Sequence, residues 1–512
     1  MTRQIQWVST FVMVLIWSVV AQAQGDSTLL SFENALQMMQ NQNPALLRAR
    51  QQIKQKESEK AMKQGLYLPQ ISVGVKAVSM SDPITLDLTP VRDAIAPIYD
   101  ALGNYGVFSG VANPDPTTNA IMPVLPDNIS TAAVRQKMLA GEDVVINGEW
   151  DQMIQEKNFV TATADFIWPV FTGGKIKGAN KAAEVDVAMV REDLRKVEGE
   201  LLTELVTRYY GLALAVQVVE VRRQMFEAMD RHYSDAQKLF NEGIIAKVEF
   251  LHASVARNEA ERELKQSQRN VEIVQSGLFA TLALDSISSI LPASHLFVNK
   301  ELLPLDEWVF RAYESNPQLK QVEGKKELVN IKTGIDKGNY LPTVAMLGTF
   351  NLAEKNLSPY TPNWLVGVGL KWNVFEGFAR HNQLKASTSM MSQVDYAEQQ
   401  AHDNLRAYLT KLYHELNMQL EQIKELESTL ELANEYCVST EKAFDEGFAA
   451  SSLVVDAHTK ITQVKAMRLK VFYEYDVTLS NLFQTAGIPE QFIASCSGEN
   501  TIVESLKSLS HE

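Results

Sequence analysis

The chain carries one long pattern twice. Asn43-Pro44, Leu46, Gly65 and Tyr67-Leu68-Pro69 recur as Asn316-Pro317, Leu319, Gly338 and Tyr340-Leu341-Pro342, at a constant offset of 273 residues. Further along, Trp168, Val170, Phe171 and Gly173 recur as Trp372, Val374, Phe375 and Gly377, now at an offset of 204. The same 204 maps Phe240-Asn241-Glu242-Gly243 onto Phe444-Asp445-Glu446-Gly447, and Ala253 onto Ala457. Such a period far exceeds the roughly 20–50 residues of a solenoid unit, so each copy is a large structural half with one order of elements. The two offsets differ by 69, which places a surplus of that length in the first half, between Pro69 and Trp168.

The first residues read as an address. Arg3, an apolar stretch of fourteen residues from Trp7 to Val20, and Ala21-Gln22-Ala23 follow the order of a secretory signal with a small-residue cleavage site. The stretch is short of the roughly 20 residues that a spanning helix needs. Residues 1–23 are therefore expected to be a signal peptide, with a mature start near Gln24 and no cysteine nearby to take a lipid. Without Arg3 the balance is 47 basic against 62 acidic residues, a net of −15, which offers no footprint for nucleic acid. Only Cys437 and Cys496 are present, so this exported chain is not stapled by disulfides.

Two stretches, 170–291 and 363–488, contain no proline. Within them apolar residues step by three and four, as in Ala183, Val187, Val190, Leu194, Val197 and Leu201, and again in Leu405, Leu409, Leu412, Leu416, Leu420 and Ile423. These are helices of coiled-coil type. The 67 residues from Gly174 to Phe240 would span roughly 100 Å as one helix. The breaks fall at Asn241-Glu242-Gly243 and Asp445-Glu446-Gly447, where glycine can end a helix in the left-handed conformation. Each half thus contains a helical hairpin, with tip turns at 241–247 and 445–451.

Between the helices lie segments of period two, about 70–79 and 159–171 in the first half, 343–352 and 363–374 in the second. Each is about 10 residues with one apolar face, as in a membrane-barrel strand, a pattern that a half-buried soluble sheet shares. Trp168, Trp364 and Trp372 at or near strand ends fit an interfacial girdle or a core equally. Membrane barrels begin at about 8 strands, and an open sheet edge is forbidden in lipid. If these four strands lie in a membrane, the barrel must be shared between chains.

This duplicated order of helix, strand, strand, long helix, glycine turn and helix resembles the TolC-like outer-membrane efflux protein family. The resemblance runs from about Phe32 to Pro489. It rests on the Asn-Pro starts, the Tyr-Leu-Pro strand entries, the exits Phe171–Gly174 and Phe375–Gly377, and the helices carrying Leu251-His252-Ala253 and Val455-Asp456-Ala457. It implies a mainly α fold with β: long α-helical hairpins forming an α-barrel tunnel in the periplasm, and four strands per chain entering a twelve-strand outer-membrane β-barrel shared by a homotrimer. On that reading residues 24–300 are the first repeat, 301–490 the second, and 491–512 a polar C-terminal tail.

The resemblance further implies a passive exit duct of a tripartite efflux or type I secretion system, not an enzyme, with no cofactor. Its partners would be outer-membrane lipid, a periplasmic adaptor (membrane fusion) protein, and an inner-membrane pump of RND, ABC or MFS type. The adaptor would dock on the tips, Gly243-Ile244-Ile245-Ala246 and Gly447-Phe448-Ala449-Ala450. Glu249 and Asp456 fall where the family narrows its periplasmic aperture, although a carboxylate in a first helical turn also simply suits the helix dipole. Ala449, Leu453 and Phe444 stand where better-known members carry an arginine, an aspartate and a tyrosine, which argues against a salt-bridged latch. The surplus, about 80–155, would face the exterior. It holds seven of the 17 prolines and a net charge of −7.

Catalytic and metal-binding patterns are not found. His232, His252, His402, His414 and His458 lie singly on helices, where a solvated or tunnel-lining role is expected, since a metal needs convergent ligands. Gly173-Gly174-Lys175 lacks the spacing and the following hydroxyl of a phosphate loop. The competing class is a structural or adhesive exported coiled-coil protein without a pore; an exported enzyme is disfavoured by the missing site.

Overall fold

The computed structural model describes residues 28–284, 290–496 and 501–504; the expected signal peptide at 1–23 lies outside them. The described chain divides into two compact units. The first comprises the residues up to Lys63, Lys177–Lys337 and those from Gly377 onward; the second comprises Gln64–Ile176 and Gly338–Glu376. In chain order the elements are β1 (Thr28–Leu30), α1 (Phe32–Gln42), α2 (Pro44–Gln64), β2 (Gln70–Ser79), β3 (Ile84–Asp87), α3 (Thr89–Tyr105), α4 (Asp127–Asn147), β4 (Asp151–Gln155) and β5 (Asn158–Phe171). There follow α5 (Lys175–Asn241), α6 (Lys247–Leu282), β6 (Ile290–Pro292), β7 (Leu296–Asn299), α7 (Leu305–Ser315), α8 (Pro317–Gly338), β8 (Thr343–Lys355) and β9 (Trp364–Lys371). The last are α9 (Ala379–Asp445), α10 (Ser451–Thr485), α11 (Gln491–Ser495) and β10 (Thr501–Glu504).

The first unit holds both hairpins, α5–α6 and α9–α10. Their long arms are each 67 residues, roughly 100 Å of helix. On α9 the buried residues Leu409, Leu416, Ile423, Leu430, Cys437 and Phe444 recur every seventh position, with Leu412, Gln419, Ala433 and Thr440 filling the second seam. That heptad seam packs α9 along α10 in coiled-coil fashion. The main core gathers Phe32, Tyr209, Tyr210, Phe297, Phe472, Tyr475 and Phe492, all fully or nearly fully buried. Several of these rings meet edge to face, as Phe32 does with Tyr209 at 5.4 Å.

The repeated Asn-Pro steps carry a two-sided role. Asn43 accepts from the Ala45 N–H at 2.8 Å while its amide donates to the Thr281 carbonyl at 3.0 Å. Asn316 accepts from Gln318 N–H and donates to the Thr485 carbonyl, both at 2.8 Å. Each asparagine caps the helix that follows, 21 or 22 residues long, and also ties it to the end of a hairpin arm, satisfying groups that would otherwise be buried unpaired.

The C-terminal segment, expected as a polar tail, also contributes to the fold. Among its described residues, Phe492 is buried in the core and β10 pairs antiparallel with β7 from Thr501↔Asn299 to Glu504↔Leu296. Glu504, almost fully buried, meets Arg468 at 3.1 Å. The polar composition hides one aromatic anchor and one buried ion pair.

Asp476, on α10, is also fully buried, and among the described residues only a long bond from the Phe297 N–H, 3.4 Å, reaches its carboxyl. Burial raises its pKa well above the ordinary carboxylate value, against a smaller opposing pull from that N–H. The folded state therefore keeps a proton that the unfolded chain releases near pH 4, so this group's contribution is full at low pH and is lost as pH rises from about 4 through the raised folded value. Asp476→Asn should raise the melting temperature at pH 8, corresponding to about 1–3 kcal/mol, with the gain shrinking toward pH 4. An equal shift at both pH values would show that the carboxyl does not titrate this way.

The second unit is an antiparallel sheet in the order β2-β5-β8-β9. Its outer strands β2 and β9 each have one neighbour in the sheet, so both edges are open. A close glycine approach closes the end where the chain leaves the sheet: a Cβ on Gly338 would run into the Gly173 carbonyl. At the same end, Trp168 donates its indole N–H to the Tyr67 carbonyl at 3.0 Å, and Trp372 to that of Tyr340 at 3.1 Å. The two sequence offsets thus meet in one duplicated bond. At the other end the surplus segment is folded: β3 pairs with β4, and α3 packs on α4 where Gly103 admits Leu139 and Gly141 admits Tyr99. Gln155 ties it to the β8–β9 loop, donating to the Asn356 carbonyl and accepting from the Ser358 N–H, both at 2.8 Å.

Candidate functional site

Each hairpin turns through the same local geometry. Gly243 and Gly447 both sit at φ +76°, a conformation that side chains resist. After each, the next N–H reaches back to close the helix end, Ile244 to the Leu239 carbonyl at 2.8 Å and Phe448 to that of Ala443 at 2.7 Å. The side chains then diverge. Ile244 is 59% exposed and Phe448 84%, whereas Ile245 and Ala449 pack on a tip cluster of Ala236, Ala253, Phe444 and Val454. Of the expected docking residues, Ile244 and Phe448 point outward and Ile245 belongs to the fold of the tip itself. Gly243, Ala246, Gly447 and Ala450 are exposed backbone positions of the turns.

The two expected aperture acids differ in their surroundings. Glu249, in the first turn of α6, accepts from the Ser451 N–H at 3.0 Å and so also caps α10, joining the two hairpins. Asp456 is exposed on α10, five residues beyond Ser451. Phe444, in place of a polar residue, is buried in the tip cluster, and Leu453 is exposed.

Two histidines depart from the expected solvated or tunnel-lining role. His232 is buried, its Nε2 2.8 Å from the Ser451 hydroxyl and its ring against Phe444. Burial, aided by nearby His458, lowers its pKa to about 4, so it is neutral at neutral pH. His458 lies with Nε2 2.7 Å from the Glu441 carboxylate, burial lowering its pKa against the pull of that carboxylate. Cys437, a thiol that burial pushes up to about 11, joins them: one ligand-type atom each from Cys437, Glu441 and His458 lie within 4.8 Å of one another. Both cysteines are free. The cluster has a signal in the sequence: Cys437 and His458 are equidistant from the Gly447–Phe448 step, and an antiparallel hairpin brings such residues level.

The sheet largely separates its side chains, with Ile167, Leu347 and Leu365 among the apolar exceptions on its more polar face. Ile71, Val73, Val75, Val366, Val368 and Leu370 share one exposed face, with Val75 72% exposed. The other face carries Ser72, Lys76, Thr161, Thr163, Asp165, Thr349 and Asn351; there Asp165 accepts from Thr349 at 2.9 Å. Trp168 and Trp372 stand at one end of the strands and Trp364 at the other. No helix among the described residues is long and apolar enough to cross a membrane.

Paired long hairpins and a sheet that exposes its apolar face and leaves both edges open are the architecture of a channel protomer. A profile of the outer membrane efflux protein family matches residues 129–283 and 308–488; the chain belongs to that family, and its place is the outer membrane. The resemblance carried by the duplicated motifs is borne out. Protein CyaE of Bordetella pertussis is 22% identical over 255 residues, 49% of this chain, which spans about half, 54%, of CyaE. Among solved structures, the outer membrane protein VceC of Vibrio cholerae is similar at 12% identity and TM-score 0.64, over 89% of this chain and 96% of that one. The CmeC outer membrane channel of Campylobacter jejuni (12%, TM-score 0.63, over 91% and 89%) and the open MtrE channel of Neisseria gonorrhoeae (9%, TM-score 0.63, over 90% and 89%) share the fold.

Proposed function

We propose that the chain is the outer-membrane exit duct of a tripartite efflux or type I secretion system, conducting its cargo passively from a periplasmic adaptor and inner-membrane pump to the exterior. The observation that carries this is the four-stranded sheet, apolar and exposed on one face, more polar on the other, and unpaired at both edges. In lipid such edges must be closed, and pairing β9 of one copy with β2 of the next in a ring of three gives a twelve-strand barrel with a polar lumen. The hairpins then supply the periplasmic tunnel. Ile244 and Phe448 offer the adaptor its contact, and Glu249 and Asp456 place negative charge near the narrow end. The folded segment at 80–155 stands on the external side of the barrel.

The test is made on the purified protein in detergent and then in planar bilayers. Cross-linking should stop at three chains, and reconstituted protein should conduct ions in discrete steps. Monomers without conductance would support instead an exported coiled-coil protein without a pore.

A further inference from the structure

We propose that Cys437, Glu441 and His458 form a binding site for one borderline-soft divalent transition-metal ion of the Zn2+ class per chain, fastening α9 to α10 near the second tip. The three groups are a sulfur, an imidazole nitrogen and a carboxylate oxygen, the donor set that suits such an ion with a fourth position left for water. Their candidate ligand atoms already lie within 4.8 Å of one another. Bonds of about 2.0–2.3 Å in a tetrahedron place ligand atoms about 3.3–3.8 Å apart, so rotamer changes suffice. Seating the ion would part His458 from Glu441, now at 2.7 Å.

Three further observations favour a ligand site over a packed ion pair. Cys437 occupies a seam position that its α9 neighbours fill with leucine, isoleucine or phenylalanine, so packing alone does not call for sulfur. The trio also grades outward: Cys437 is buried, the His458 side chain 14% exposed and that of Glu441 45%, which leaves an approach from solvent through the carboxylate. Finally, the repeat supplies an internal control. At the offset of 204 the first hairpin carries Tyr233, Gln237 and Ser254, so an equivalent turn folds without these donors. Arg231 and Lys465 bring positive charge near His458. A thiolate and a carboxylate together balance the ion's two charges against them.

Cys437 lies eight residues before the end of α9 and His458 seven after the start of α10, so the ion would sit about 11–12 Å from the tip. There it would add a bond between the two arms to the packing of Phe444 and Val454 in the tip cluster.

The experiment uses the untagged full chain in detergent, stripped with a chelator and titrated with Co2+ as probe. We expect a thiolate-to-cobalt charge-transfer band that saturates at one ion per chain and is displaced by Zn2+. The band should be unchanged in Cys496→Ser and lost in Cys437→Ser and His458→Gln, with helical circular dichroism preserved. In the wild-type protein Zn2+ should also slow alkylation of Cys437. Absence of the band from the wild-type protein, its survival in Cys437→Ser, or alkylation indifferent to Zn2+ would each overturn the proposal, and the wild-type readings stand even where a variant fails to fold.

Discussion

Ile244→Asp combined with Phe448→Asp should abolish export while leaving the yield of folded trimer unchanged. Both side chains point away from the tip cluster, so the substitutions remove no internal packing. Against an adaptor each would bury an unpaired carboxylate, at a cost of roughly 3–5 kcal/mol, and a trimer presents six such sites. The measurement pairs an export assay in cells with trimer yield on an unheated gel. Ile245→Asp is the contrasting variant, because its side chain packs inside the tip and the substitution should lower stability by itself. Normal export by the double variant would take the tips out of the docking surface.

The second large effect lies in the sheet. Val75→Arg puts a guanidinium on the exposed apolar face near the middle of β2, where a barrel strand pays about 2–4 kcal/mol per residue at the bilayer midplane. Three copies in one barrel make roughly 6–12 kcal/mol, enough to empty the membrane of assembled protein. Ser72→Arg, on the polar face of the same strand, should assemble normally and alter conductance instead. Membrane fractionation of the two variants decides the matter: equal recovery would mean that the apolar face does not meet lipid.

The larger elements were legible because their physics is local and repeated. Helices free of proline over more than a hundred residues, glycines that stop them, and strands of period two declare themselves in any window of the chain. Phe448 and Ile244 were visible as turn residues, but which neighbour of each turns inward was not, since that depends on the cluster formed with Ala236, Ala253 and Val454. Asn43 and Asn316 announced helix starts; their second bonds, to Thr281 and Thr485, cross 238 and 169 residues and leave no local trace. Phe492 was masked by its polar surroundings. The segment 80–155 has helices broken in pattern by prolines such as Pro97, so its α3–α4 hairpin rests on glycine notches rather than on periodicity. Cys437 and His458 stand alone when the chain is read along its length and Glu441 carries no signal there, because the three meet only across the turn.

The two tip turns share a backbone and differ in their surfaces: one presents Ile244 and the other Phe448. Around the proposed ring of three chains these would alternate, giving six seats of two kinds. A partner with one copy per chain can select a single kind of seat and read the ring as threefold. A partner with two copies per chain must tolerate both, so its own subunits would be forced into alternating, non-equivalent fits. On the proposed assembly, the stoichiometry of the machine would thus depend on the difference between an exposed isoleucine and an exposed phenylalanine in each protomer.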